Sequence, residues 1–232
     1  MRKKVTFKEI QAIEDLEKCF LLRYRQFVNT AHRVFLKGKD KIDIDRFDIY
    51  SKHWGVFSEE GEIIGYARII QEEKNLRVAD HILAIGEKYA FSDFEPCGCK
   101  FPIFTYQTDQ SESSTATFLN RYSHKDVFEL SRFIIKKGNS FRISKFMVNA
   151  GLGIYKYSYA DRLIILACHI SHKKFWNAYG FKKIKEEEVY NVGSLKSVNL
   201  FSQLCGINER LETEWSEYAN EFKLNNKVTI EI

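Results

Sequence analysis

Asp126-Val127-Phe128-Glu129-Leu130-Ser131-Arg132-Phe133-Ile134-Ile135 reads as a buried β-strand interrupted by charge. Its β-branched and aromatic residues suit a pleated, covered surface. Glu129, Ser131 and Arg132 do not, since a charge among such neighbours is desolvated unless it is paired or put to chemical use. Far upstream, Asp45-Arg46-Phe47-Asp48 supplies acids that could answer the arginine. The strand is therefore where the chemistry is expected.

Outward from it, elements alternate. Val5 and Phe7 suggest a short first strand, and Ile13, Leu16, Phe20, Tyr24 and Phe27 recur at helical spacing from Ile13 to about Val28. Arg23 and Phe27, four apart, share a face of that helix. Asp45 to Tyr50 reads as a polar connection, followed by a hairpin of His53–Phe57 and Glu62–Ile70. Downstream come a helix from about Ser140 to Tyr157, a continuous apolar strand Leu163–Cys168, and a helix Lys173–Tyr179 capped by Ser171 and ended by Gly180. A late strand Lys196–Leu204 and an amphipathic helix Asn208–Phe222 close the order. Periodicity is weak over 71–125, where Pro96, Pro102 and the polar run Thr108–Thr117 predict a long loop-rich insertion. The whole predicts one α+β (α/β-like) domain over 1–232, with helices on both faces of its sheet.

Bulk composition narrows the class. With 44% hydrophobic and 15% aromatic residues the chain has the means to fold. Its net charge of +5, spread along the sequence and without aromatic–basic interleaving, does not favour nucleic acid as a partner. No apolar run is long enough for a signal peptide or a membrane span, so a cytoplasmic protein is expected. Five cysteines suit a reducing compartment. Cys97-Gly98-Cys99 has no second pair at metal-ligand spacing, so no metal site is expected.

The element order, with Tyr179-Gly180-Phe181 closing a helix after a buried strand, resembles the GNAT N-acyltransferases. Within them, Arg23 with Phe27, Asp45 and Asp48 around Phe47, Arg68 in Gly65-Tyr66-Ala67-Arg68, and Glu129-x-Ser131-Arg132 resemble a narrower branch, the N-acyl amino acid synthases and acyl-homoserine lactone (autoinducer) synthases. Two departures choose between these. The lactone synthases carry a Trp shortly after the Phe27 position, where His32-Arg33-Val34-Phe35 has none, whereas Asp48-x-x-Ser51-x-His53 is similar to the pattern of the N-acyl amino acid synthases. The segment Lys136–Lys145 also lacks the Gly-rich turn with which acetyl-coenzyme A members cradle pyrophosphate.

The resemblance implies a central mixed, mostly antiparallel sheet and transfer of a fatty acyl group from acyl carrier protein (ACP), or from acyl-CoA, to the amine of an amino acid or similar small amine. No tightly bound cofactor is implied, the phosphopantetheine-linked donor being a substrate. The alternatives are a homoserine lactone synthase that uses S-adenosylmethionine, and a non-catalytic carrier-binding module. Glu129 is the expected general base, its pKa raised by burial, because an amine must lose a proton to attack a thioester. Ser131 and Arg132 complete the expected catalytic group. Strict alternation puts Glu129 and Ser131 on one face and Arg132 on the other unless a bulge intervenes. Arg132 and Arg68 are expected to pair with Asp45 and Asp48, with Arg23 and Phe27 alongside. Tyr179 would lie near the leaving sulfur, or be merely a packed aromatic. Lys136, Lys137, Arg142 and Lys145 form a candidate patch for an acidic carrier protein. The acyl pocket is expected from Ile82, Leu83, Phe91, Phe94, Phe101, Ile103 and Phe104.

Overall fold

The computed structural model describes residues 3–36, 41–94, 101–104, 114–138, 141–159, 161–184 and 189–232. Among them the strands are β1 (Lys4–Ile10), β2 (Ser51–Ser58), β3 (Ile63–Ile70), β4 (Val127–Ile135), β5 (Leu163–His169), β6 (Lys182–Lys183), β7 (Tyr190–Val192), β8 (Leu195–Ser202) and β9 (Lys227–Glu231). The α-helices are α1 (Ile13–Phe27), α2 (Ala79–Lys88), α3 (Ser114–Leu119), α4 (Phe141–Ser158), α5 (Lys173–Asn177) and α6 (Glu209–Asn225).

One sheet runs in the order β6-β8-β5-β4-β3-β2-β1-β9, with β7 on β8. Its pairs are antiparallel except β4–β5. Helices α1 and α2 cover one face, where Leu16, Phe20, Ile82 and Ile85 meet Tyr66 and Ile134. Helices α4 and α6 cover the other, where Phe146, Met147, Leu152 and Trp215 meet Trp54, Ala67 and Ile164. This is the mixed, mostly antiparallel sheet with two helical layers that the sequence led one to expect.

Three features differ from the reading of sequence alone. The stretch 71–125 is not all loop, since it carries α2 and α3. In α2, Gly86 interrupts the helical pattern for a packing reason: a Cβ there would stand 2.5 Å from the Phe94 ring. The last strand, β9, was not foreseen because Val228 and Ile230 are too few to stand out, and it exists by pairing with β1. Ser171 does not cap a helix. It lies in a 3-10 turn, Ile170–His172, before a short α5, and its backbone N–H is accepted by the His169 side chain. Gly180, at φ +80°, makes the expected stop. Cys97 and Cys99, like Pro96 and residues 105–113, lie outside the described residues.

Candidate active site

β4 and β5 pair in parallel only from Val127–Leu163 to Glu129–Ile165. Beyond Glu129 both strands continue, to Ile135 and His169, without pairing to one another. The divergence opens a cavity of about 520 Å³ that reaches through the sheet. On the α4 side it is apolar, lined by Leu130, Phe133, Leu166, Phe141, Phe175 and Trp176. On the α1 side it is polar, lined by Gln26, Glu129, Ser131, Arg132 and three histidines.

At the vertex Glu129 is buried, and its Oε2 accepts the backbone N–H of Ile103 at 3.0 Å. Among the described residues it forms no ion pair. Burial raises its pKa to about 8, against smaller opposing effects from that hydrogen bond and from Arg68 and Arg132. Such a carboxyl holds its proton at neutral pH and releases it far closer to the range of an amine than an ordinary carboxyl does.

The strand does not alternate through the site. Arg68 of β3 is opposite Ser131, but Tyr66 is opposite Ile134, so β4 carries one extra residue. That residue is accommodated at Arg132, whose φ of 56° lies in the left-handed region. The bulge turns Arg132 onto the same face as Glu129 and Arg68, which corrects the expectation from alternation. The left-handed backbone costs roughly 1–2 kcal/mol for a residue with a Cβ. Arg132 is held there by its partners: Nη2 donates to Phe35 O at 2.9 Å and to Asp45 Oδ2 at 3.2 Å, and Nε lies 3.1 Å from Asp43 Oδ2. The Phe27 and Phe35 rings each sit 5.7 Å from its guanidinium.

Beneath this face lies a dry ionic cluster. Arg68 donates to Asp45 Oδ1 and Oδ2 at 2.6 and 2.9 Å and to Asp48 Oδ1 at 2.6 Å. Arg23, set in the apolar stripe of α1, reaches Asp43 at 3.0 Å and Asp48 at 2.6 Å. Three arginines and three aspartates thus balance. Burial alone would raise Asp45, but Arg68 and Arg132 overcome it and hold this carboxylate well below the usual range. Asp48 is likewise lowered, burial being outweighed by Arg23 and Arg68. Asp45 and Asp48 also fold their own loop, accepting the N–H of Phe47 and of Asp45 respectively.

The Asp48-x-x-Ser51-x-His53 pattern belongs to this scaffold and not to the cavity. Ser51 donates to Phe47 O at 2.7 Å. His53 Nε2 lies 3.0 Å from Asp48 O, a carbonyl that can only accept, so the proton is on Nε2 and Tyr66 OH donates to Nδ1 at 2.8 Å. Burial lowers the His53 pKa to about 4, which keeps the ring neutral for this role.

Other expected site residues fall elsewhere. Tyr179 does not line the cavity. It packs on Phe175 and Trp176, with ring centroids 5.2 and 6.5 Å away, because α5 is short and its last turn folds back on the core. Lys136 and Lys137 follow the end of β4, and Arg142 and Lys145 lie at the start of α4; Lys136 pairs with Glu62 at 2.9 Å, and Arg142 donates to Glu231 O on β9. Of the expected acyl-pocket residues whose side chains are described, only Ile103 lines the cavity. Ile82, Phe91 and Phe94 pack with α1 and α2, Phe101 lies in a third core cluster, and Leu83 is exposed, because α2 turns this segment's apolar side to the core. The Phe104 side chain is outside the described residues. Sequence reasoning missed Asp43, although the alternation Ile42-Asp43-Ile44-Asp45 carried a signal, both aspartates being buried with their isoleucines. It also missed His32 and His169, which no motif marked.

Residues 22–100, about a third of the chain, match the family model described as "Acetyltransferase (GNAT) domain". No curated protein matches the sequence. Among solved structures, the chain is similar to the AHL synthase LasI (TM-score 0.58, 13% identity, covering 94% of this chain and 96% of that one). It is similar also to the CoA-dependent acyl-homoserine lactone synthase BjaI with SAM and isopentyl-CoA (0.60, 13%, 93% and 90%). A third likeness is to an acyl-CoA N-acyltransferase from Pseudomonas aeruginosa (0.53, 12%, 86% and 99%). The chain therefore has the GNAT fold, as its resemblance implied.

Proposed function

We propose that this protein is an N-acyltransferase that moves a fatty acyl group from a phosphopantetheine-linked thioester, on acyl carrier protein or coenzyme A, to the amine of an amino acid or similar small amine. The observation that carries this reading is the cavity through the sheet with Glu129 at its vertex. A donor threads the apolar side, placing its thioester between the splayed strands, and the acceptor enters from the polar side.

In the reaction the amine nitrogen forms a bond to the thioester carbonyl carbon, the carbon–sulfur bond breaks, and the sulfur leaves with its electron pair as thiolate. The amine's surplus proton goes to the Glu129 carboxylate and from there to the sulfur. A carboxyl with a pKa of about 8 is better matched to an ammonium than an ordinary one of about 4.3. Ser131, half-buried on the same wall, is in position to hydrogen-bond the acyl carbonyl or the acceptor. Arg132, already neutralised by Asp43 and Asp45, positions the wall.

Lys137 and Lys145, exposed beside Phe141 at the apolar mouth, support an acidic carrier protein as donor. Against the lactone-synthase alternative stands the turn that follows α1: His32 stacks on Phe27 at 5.4 Å, and the segment His32–Phe35 has no tryptophan such as the lactone synthases, by the resemblance, carry there.

The test is mass spectrometry after incubation with long-chain acyl-ACP, acyl-CoA, pooled amino acids and S-adenosylmethionine. N-acyl amino acids that vanish with Glu129→Gln are expected. Acyl-homoserine lactone with methylthioadenosine would assign the protein to the alternative. Binding of the carrier without thiol release would make it a non-catalytic module.

A further inference from the structure

Three histidines converge on the polar side of the cavity from separate elements. His169 ends β5, His172 closes the 3-10 turn after it, and His32 lies in the turn Ala31–Phe35 that follows α1. The His169 and His172 rings are 6.1 Å apart. The remaining ionisable groups facing this space among the described residues are Glu129 and Arg132 on β4 and Cys168 on β5. Arg132 is matched by Asp43 and Asp45, and Glu129 is the only acid among them. Among the described residues lining the cavity, the histidines thus face no acid other than the buried Glu129.

Their geometry is fixed. Nδ1 of His169 accepts the Ser171 N–H at 3.3 Å, so the neutral ring carries its proton on Nε2, the nitrogen on the side away from the turn. His32 is clamped between Phe27 and Phe35, with ring centroids at 5.4 and 6.1 Å. Burial lowers His32, with His172, His169 and Arg132 adding to it, and burial followed by His169 lowers His172. Each proton gained on this wall opposes the next, until a negative charge sits among them.

We infer that the wall of His32, His169 and His172 binds an anionic group of the acceptor, at the end of that molecule remote from its amine. This rests on the acyltransferase reading above and adds what the acceptor must carry. The remoteness follows from the sheet. Ile165 is opposite Glu129, and His169 is four residues further along β5, roughly 13 Å at the rise of an extended strand. Even with both side chains leaning inward, several ångströms separate the base from the wall. An α-carboxylate, two bonds from its nitrogen, does not span that gap. A carboxylate or phosphate several bonds from the amine does.

The test uses a pair of product-like probes that differ only in charge: 6-(dodecanoylamino)hexanoate and its methyl ester. Calorimetric titration of the full chain at pH 5.5 is expected to show the acid binding about ten-fold tighter than the ester, as charge-assisted hydrogen bonds to such a wall allow. The preference should shrink as pH rises to 8, where the lowered His32 and His172 are neutral. It should also vanish in the His169→Gln/His172→Gln double variant, with the ester's affinity unchanged. Equal binding of acid and ester, or a preference that survives in the variant, would overturn the inference and leave the acyltransferase reading standing. Binding of neither probe would overturn both.

Discussion

Two carboxylate environments lie on one face of the sheet, both in contact with or facing Arg68 and Arg132. Behind β4, Asp45 and Asp48 are buried against Arg23, Arg68 and Arg132 and held ionised; at the vertex of the cavity, Glu129 is buried without an ion pair and held protonated up to about pH 8. Burial is common to both, and among the described residues only the first has guanidinium groups at ion-pair distance. The lesson is that desolvation yields an ionised scaffold where opposite charges are supplied and, where they are withheld, a carboxyl tuned to the base chemistry proposed above. The bulge at Arg132 makes the separation possible, since it draws that arginine toward Asp43 and Asp45 while keeping it three residues from Glu129.

The sharpest way to break this contrast is Glu129→Gln. The variant should lose roughly 10²–10⁴ in acyl-transfer rate, the usual worth of a general base. In wild type the rate should climb with pH toward about 8 as Glu129 ionises, and that slope should disappear in the variant. Stability should move the opposite way. A folded pKa raised above the unfolded value contributes stability at low pH that is lost as pH rises through about 8. Melting temperatures of variant and wild type should therefore agree below about pH 4.5, diverge as pH rises from there to about 8, and differ by a constant amount above it, with the variant higher. A variant that melts lower at pH 9 would contradict the picture of an unpaired, buried carboxyl.

The paired side should answer in reverse. Arg68→Met leaves Asp45 and Asp48 short of a partner in a dry site, and chemical denaturation should show a loss of about 3–5 kcal/mol. Adding Asp45→Asn should recover part of it. Because burial-opposed ion pairing lowers Asp45 and Asp48, their contribution is present above the unfolded aspartate pKa and is lost as pH falls below about 4. Wild type should therefore unfold cooperatively in acid, and Arg68→Met should lack that step. Arg132→Met, which removes one guanidinium at the edge of the same cluster, should cost less stability than Arg68→Met. If it folds as well as wild type, its ion pairs with Asp43 and Asp45 contribute nothing.

Much of this was legible in sequence because it lay in local periodicity. The stripe Leu16, Phe20 and Phe27 predicted α1 from Ile13, and apolar runs located β2 to β5 to within two residues. Arg68, Arg132, Asp45 and Asp48, set among apolar neighbours, pointed to pairing, and they are paired, whereas Glu129 has no ion pair among the described residues. What stayed hidden was long-range. The bulge at Arg132 is fixed by partners on β3 and on the loop after α1, β9 exists only through β1, and the histidine wall is assembled from elements more than 130 residues apart in sequence. Of the two readings of Tyr179 the packed aromatic holds, since a residue four positions from the cavity-lining Phe175 turns into the core once α5 proves short. The Ser51 and His53 motif was visible, but its use as scaffold could be read only from the partners of each nitrogen.

The smallest expected effect concerns the apolar mouth, where charge is exposed and screened. Lys137 and Lys145 stand in solvent, whereas Lys136 and Arg142 have partners in Glu62 and the Glu231 carbonyl. Lys137→Glu/Lys145→Glu should leave folding and the rate with acyl-CoA unchanged, because neither side chain lines the cavity. With acyl-ACP it should raise KM several-fold at low salt, the exposed pairs being worth up to about 1 kcal/mol each. The gap between variant and wild type should close as ionic strength passes about 0.15 M and the Debye length falls to about 8 Å. Equal KM values at low salt would mean that the donor is steered elsewhere or is carried on coenzyme A, and the contrast of paired and unpaired charge would then end at the cavity and not extend to its rim.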